Sequence, residues 1–77
     1  MAHDPLLTLI AGTLGIDPSE VTGESDSTNT RKWDSLRQVM LMTELETTYD
    51  IELTDQELID TTSVVKIRAV LRARGKA

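Results

Sequence analysis

Behind Asp4-Pro5, an N-cap followed by proline at the first helical position, Leu7, Ile10 and Leu14 recur at i, i+3 and i+7. Gly15 then supplies a stop, and the pattern predicts a helix over about residues 4–14. Residues 16–34 are rich in Asp, Ser, Thr, Gly and Asn and read as a long connection, anchored by Ile16 and Val21, in which Asp17-Pro18-Ser19-Glu20 can form one capped turn. A connection of this length is more often functional than idle. From Ser35 to Tyr49 no Gly or Pro intervenes, and Leu41, Leu45 and Tyr49 mark one stripe of a second helix. Ile51-Glu52-Leu53 alternates but has no strand to pair with, so it reads as an extended link. Thr54 and Glu57 have capping-box spacing for a short third helix to about Asp60. Thr62 or Ser63 can cap a last helix with Val64, Ile67 and Leu71 as its seam, and Gly75 ends it. The expected fold is therefore all-α, a single domain over residues 1–77: a small antiparallel four-helix bundle of three main helices and one short one, with a long loop between the first two.

The second helix has more apolar residues than one stripe requires. Leu41, Met42, Leu45 and Tyr49 supply a core face, whereas at about 100 degrees per residue Leu36, Met40 and Thr43 fall on a second stripe well away from Leu41 and Leu45, with Val39 beside it. Two readings stay open on periodicity alone. The second stripe is a docking site with Glu44 and Glu46 as its charged rim, or the helix is central and buried on more than one side.

Charge sharpens this picture. The 77 residues carry a net charge of −5, with five acids and no Lys or Arg in residues 1–30, and seven acids and no base in residues 38–60. Arg31, Lys32 and Arg37 stand between these blocks, and residues 61–77 carry five bases and no acid. An acidic body repels nucleic acid and suits a protein partner with a basic surface. The terminal bases suit the last turns of a helix, whose carbonyl end is negative. There is no cysteine and no Cys/His cluster, so neither disulfides nor a structural metal are expected, and packing alone must hold a domain near the lower size limit. Met1 to Ile10 lacks a basic n-region and a long apolar run, so the expectation is a cytoplasmic monomer with neither signal peptide nor membrane association.

Ser35 is where chemistry could reside. Ser35-x-x-Gln38 has capping-box spacing, and Asp34 is an equally good N-cap one residue earlier, so capping accounts for both. As a nucleophile Ser35 has no base: the one histidine, His3, lies near the terminus. A group joined to a serine at a helix N-terminus would, however, set a phosphate beside free backbone N–H groups and the positive end of the dipole. Asp34 would oppose that anion and needs another reason to be there.

Asp34-Ser35-Leu36 opening a long helix, in an acidic domain of this size behind a long loop, resembles the acyl carrier proteins of fatty-acid and polyketide synthesis, of the free-standing kind. The likeness spans nearly the whole chain. Leu14-Gly15 with Ile16-Asp17-Pro18 resembles the end of that family's first helix, and Glu44-Leu45-Glu46 through Tyr49 its "LE-x-x-F/Y" helix end. The resemblance implies a carrier rather than an enzyme. Ser35 would receive 4′-phosphopantetheine from coenzyme A by the action of a phosphopantetheinyl transferase, and acyl groups would ride on the arm as thioesters. Asp34 would serve transferase recognition, and Leu36, Arg37, Val39, Met40, Thr43 and Glu46 would meet the partners: the transferase, acyltransferases or ligases, and synthases with basic or apolar docking surfaces.

The chain also departs from that family's pattern. Trp33 stands where glycine is frequent and Arg37 where an acid or small residue is frequent, with Arg31 and Lys32 adjacent. Like charges across an interface are costly, so this basic cluster disfavours strongly basic partners and points to polyketide or other specialised fatty-acyl biosynthesis. Trp33 is expected as core, as a lid over the arm, or as a partner contact. An aminoacyl or peptidyl carrier is the nearest alternative, although Lys32-Trp33 replaces the Gly-Gly usual there. An unmodified acidic helical adaptor that binds a basic protein is the alternative from a different class. A helix-turn-helix DNA binder fits poorly with the acids.

Overall fold

The computed structural model describes residues 4–76, so His3 lies outside the described residues. Their order is α1 (Pro5–Leu14), a single 3-10 turn (Pro18–Glu20), α2 (Ser35–Tyr49), α3 (Asp55–Asp60) and α4 (Val64–Ala73). This is the small helical bundle expected, and among the described residues the only β pairing is one bridge between Asp26 and Ser63.

Each start is written into the residue before it. The Asp4 carboxylate accepts from Leu6 N–H at 3.0 Å and Pro5 occupies the first turn, where a missing N–H costs nothing. Asp17 and Glu20 form a reciprocal capping box around the 3-10 turn, and Thr54 and Glu57 form another on α3. Of the two candidates for α4, Ser63 is the cap, its Oγ accepting from Lys66 N–H at 3.1 Å. Gly15 at φ 73° closes α1, as expected of a left-handed C-terminal residue. Asp50, at φ 53°, performs the same turn after α2 without being glycine.

The core gathers Leu6, Ile10, Ala11 and Leu14 from α1, Leu41, Met42 and Leu45 from α2, and Val64, Ile67 and Leu71 from α4. On α1 the seam is thus set by Leu6 rather than Leu7, which is half-buried, because i to i+4 steps keep Leu6, Ile10 and Leu14 on one face. Ile16 and Val21 are buried as expected, and Ser25 and Trp33 join them. The long loop is therefore tied down along its length. Ser27 N–H donates to Thr62 O at 3.0 Å and Val64 N–H to Ser25 O at 2.9 Å, strapping the loop to the start of α4.

Not all the terminal bases serve helix ends. Arg68 reaches back to Asp4 at 2.6 Å, and Arg74 pairs with Glu57 at 2.6 Å while donating to Glu52 O, so these two cross-link α4 to α1 and to the start of α3.

Candidate functional site

The turn that ends the long loop decides which way residues 33–35 face. Lys32 adopts φ 67°, a left-handed conformation that a lysine enters at a cost of about 1 kcal/mol, and Asp34 N–H closes onto Lys32 O at 3.0 Å. The chain reverses sharply there. Trp33 turns inward, 4% exposed, while Asp34 and Ser35 stand in solvent. Trp33 is thus a core residue that also lines a cleft beside Ser35.

Asp34 is the cap of α2: its Oδ1 accepts from Arg37 N–H at 2.8 Å. Ser35 occupies the first helical position, so the Ser35-x-x-Gln38 capping box does not form. The reason lies inside the protein. Gln38 is drawn into the interior, where its Oε1 accepts from Trp33 Nε1 at 2.7 Å and its Nε2 donates to Leu58 O at 3.1 Å and Thr61 O at 2.9 Å. Those two carbonyls close the end of α3 and have no helical partner of their own. The buried indole N–H and the buried Thr61 carbonyl would each cost about 1–3 kcal/mol without a partner, and the part-buried Leu58 carbonyl somewhat less, together more than an exposed capping box contributes.

Capping by Asp34 releases the serine. The Ser35 side chain is exposed, and the N–H groups of Ser35 and Leu36, at the first turn, point along the helix start with no helical acceptor. Ser35 opens onto a cleft of about 450 Å³ lined by Ser27, Trp33, Gln38, Val39, Leu58 and Ile59 among others. An anion esterified to Ser35 would meet the positive end of α2, and a flexible arm would find an adjacent trough.

Beside the serine lies the second stripe of α2. Leu36, Val39 and Met40 are 63%, 57% and 42% exposed, and Thr43 is exposed with its hydroxyl donating to Val39 O. Across the cleft Ile59 is 68% exposed and extends this apolar surface onto α3. Ile59 is not among the residues the sequence singles out; the available signal is that Leu58 and Ile59 stand about 100° apart on a helix too short to be buried on more than one side. Met40 also borders a groove shared with Leu9 and Gly12 of α1.

Charge around the site differs from the sequence expectation in one respect. Arg31 is committed to Glu20 at 3.0 Å, which holds the Glu20 carboxyl below its ordinary value, so the positive charge beside Ser35 is carried by Lys32 and Arg37. The Arg37 guanidinium lies over Met40, NH1 at 4.0 Å from Sδ, and its Nε is shielded without a hydrogen-bond partner. Glu46 stands apart from the other expected docking residues. It is half-buried, and its Oε2 accepts from Leu53 N–H at 3.0 Å, bracing the link that follows α2.

Among the described residues no cluster of His, Cys, Asp or Glu could hold a metal ion, and no helix is long and apolar enough to cross a membrane. Residues 4–71 match the family model described as the phosphopantetheine attachment site. The acyl carrier protein of Bdellovibrio bacteriovorus is 29% identical over 75 residues, covering 97% of this chain and 96% of that protein.

Proposed function

Because this chain belongs to the phosphopantetheine-attachment family of acyl carrier proteins, which carry rather than catalyse, we propose that Ser35 is the residue that bears the 4′-phosphopantetheine. The observation that supports it most is the division of labour at the start of α2: Asp34 caps the helix and leaves the Ser35 hydroxyl exposed beside the cleft. In the transferase complex the Ser35 Oγ attacks the phosphorus that links the pantetheine arm to coenzyme A. An Oγ–P bond forms, the pyrophosphate P–O bond breaks, adenosine 3′,5′-bisphosphate leaves, and the hydroxyl proton passes to a base of the transferase. Once attached, the arm supplies a thiol that holds an acyl group as a thioester.

The chain's own residues then do three things. The N–H groups of Ser35 and Leu36 would meet the phosphodiester, Asp34 keeps the helix start rigid and is read by the transferase, and Leu36, Val39, Met40 and Thr43 form the docking face. Arg37, over Met40, adds positive charge to that face, and Glu44 is exposed further along the same helix, whereas Glu46 braces the link after α2. A partner lined only with bases would meet Lys32 and Arg37 unfavourably, so the partners are enzymes with a mixed or mainly apolar surface, in polyketide or another specialised fatty-acyl biosynthesis.

Intact mass after incubation with coenzyme A and a broad-specificity phosphopantetheinyl transferase tests the assignment. The wild-type protein gains the mass of one phosphopantetheine, and Ser35→Ala gains nothing while keeping its melting temperature. Modification persisting in folded Ser35→Ala would exclude Ser35, and no gain in the wild type would leave the acidic adaptor as the better reading.

A further inference from the structure

The cleft beside Ser35 has apolar groups at its edges and a hydrogen-bonded pair, Trp33 and Gln38, in its floor beside Leu58. Val39 and Ile59, both largely exposed, stand at its edges, whereas the buried Trp33 and Gln38 lie at its base, with Ser27 and Thr62 also on its lining. Three hydrogen bonds close that floor: Trp33 Nε1 to Gln38 Oε1, and Gln38 Nε2 to the carbonyls of Leu58 and Thr61. The side chain of Gln38 thereby stitches α2 to the end of α3 directly beneath the position of a tethered group.

We propose that Gln38 locks the seam between α2 and α3, so that cargo stays at the rim and the protein carries short or polar acyl groups rather than sheltering long alkyl chains. This rests on the reading of Ser35 as the attachment residue. An alkyl chain could go deeper only by parting Gln38 from its three partners, stranding an indole N–H and two carbonyls against hydrocarbon. The core that Trp33 joins has little slack: Ile10, Leu14, Leu41, Met42 and Ile67 in the same cluster are fully buried. A polar acyl group, by contrast, meets the Ser27 and Thr62 side chains without breaking anything. Gln38 is thus a positioning residue that sets cargo class by keeping the cleft shallow.

Trp33 is the one tryptophan of the chain, so its emission reports on the floor alone. Wild type and Gln38→Met would be loaded at Ser35 from acetyl-, hexanoyl- and decanoyl-coenzyme A by the same transferase, loading verified by mass, and compared for Trp33 emission and melting temperature. In the wild type both readouts stay the same across the three chains. In Gln38→Met, whose floor is apolar, the decanoyl form alone shifts Trp33 emission and melts about 4–8 °C higher than the acetyl form. A merely structural Gln38 would lower the stability of all three loaded forms equally, and that result in Gln38→Met overturns the lock. A shift of emission and melting temperature with chain length in the wild type overturns it too, whether or not the variant folds. Failure of any coenzyme A derivative to load removes the attachment reading itself, a different result from loading with the wrong chain-length dependence.

Discussion

Met40 differs from the two residues that follow it on α2 in being available at the surface, as the docking role proposed for it requires. Leu41 and Met42 are fully buried, but Met40 is 42% exposed beneath the Arg37 guanidinium. Met40→Glu should therefore leave the circular dichroism spectrum unchanged and shift stability by only about 0.5 kcal/mol, since a surface side chain is replaced. It should reduce kcat/KM for modification of Ser35 by roughly tenfold, equivalent to about 1.4 kcal/mol lost from the centre of a docking face. A large fall in melting temperature would instead place Met40 in the core. Asp34 and Ser35 divide in a similar way: the carboxylate takes the capping bond, and the hydroxyl is left in solvent. Gln38 is the residue at which local spacing misleads. Its distance from Ser35 fits a capping box, yet the indole N–H of Trp33 and the open carbonyls of α3 claim it.

At the scale of elements, α3 is the weak member. Its six residues are too few to stand alone in water, so its existence depends on what holds its ends. The Thr54–Glu57 box and the Arg74 pair hold the start, and Gln38 holds the finish. Glu57 links this to pH. Its bond to Arg74, assisted by Thr54 N–H, lowers its pKa below the ordinary 4.5, and Arg68 likewise lowers Asp4 below 3.8. A carboxyl whose pKa is depressed on folding contributes its stability above the ordinary value and loses it as pH falls through the depressed one. The melting temperature should accordingly hold from neutral pH down to about 5 and then fall steadily towards pH 3. Glu57→Gln should melt lower at neutral pH, by the equivalent of at most about 1 kcal/mol for a partly exposed pair, and should show a shallower acid limb. Parallel acid limbs in thermal melts of the two proteins would show that the Glu57–Arg74 pair does not link stability to pH. The expectation that the terminal bases serve the α4 dipole holds for Arg72, in the last turn, and misses Arg68 and Arg74, whose partners are distant in sequence.

For the whole molecule the margin is small. A chain of 77 residues without disulfides holds on the order of 4–12 kcal/mol of stability, and the core of the described residues is one cluster shared mainly by α1, α2 and α4. Leu41→Ala at the centre of that cluster should cost about 2–5 kcal/mol and lower the melting temperature by more than about 10 °C. Val65→Ala, 65% exposed on α4, should stay within about 0.5 kcal/mol. Similar losses in the two variants would mean that the core is not the cluster described. The long loop belongs to this scale as well. Its bonds to Thr62 and Val64 and its buried Ile16, Val21, Ser25 and Trp33 make it a strap across the bundle, which delivers residues 33–35 in a set orientation.

The sequence by itself determined the elements and the presence of a second apolar stripe on α2, because caps, proline and glycine stops and helical periodicity act over four residues or fewer. Asp4, Thr54, Gly15 and Gly75 mark boundaries through local capping and turn geometry, and Leu36, Val39 and Met40 could be set apart from Leu41 and Leu45 by angle alone. Only the tertiary structure decided which polar groups would be claimed from afar. Gln38 reaches 20 and 23 residues along the chain, Arg68 reaches 64, and Lys32 accepts a left-handed turn so that Trp33 can be buried. Such pairings depend on which elements pack together, and a buried donor or acceptor takes whatever partner that packing brings within reach.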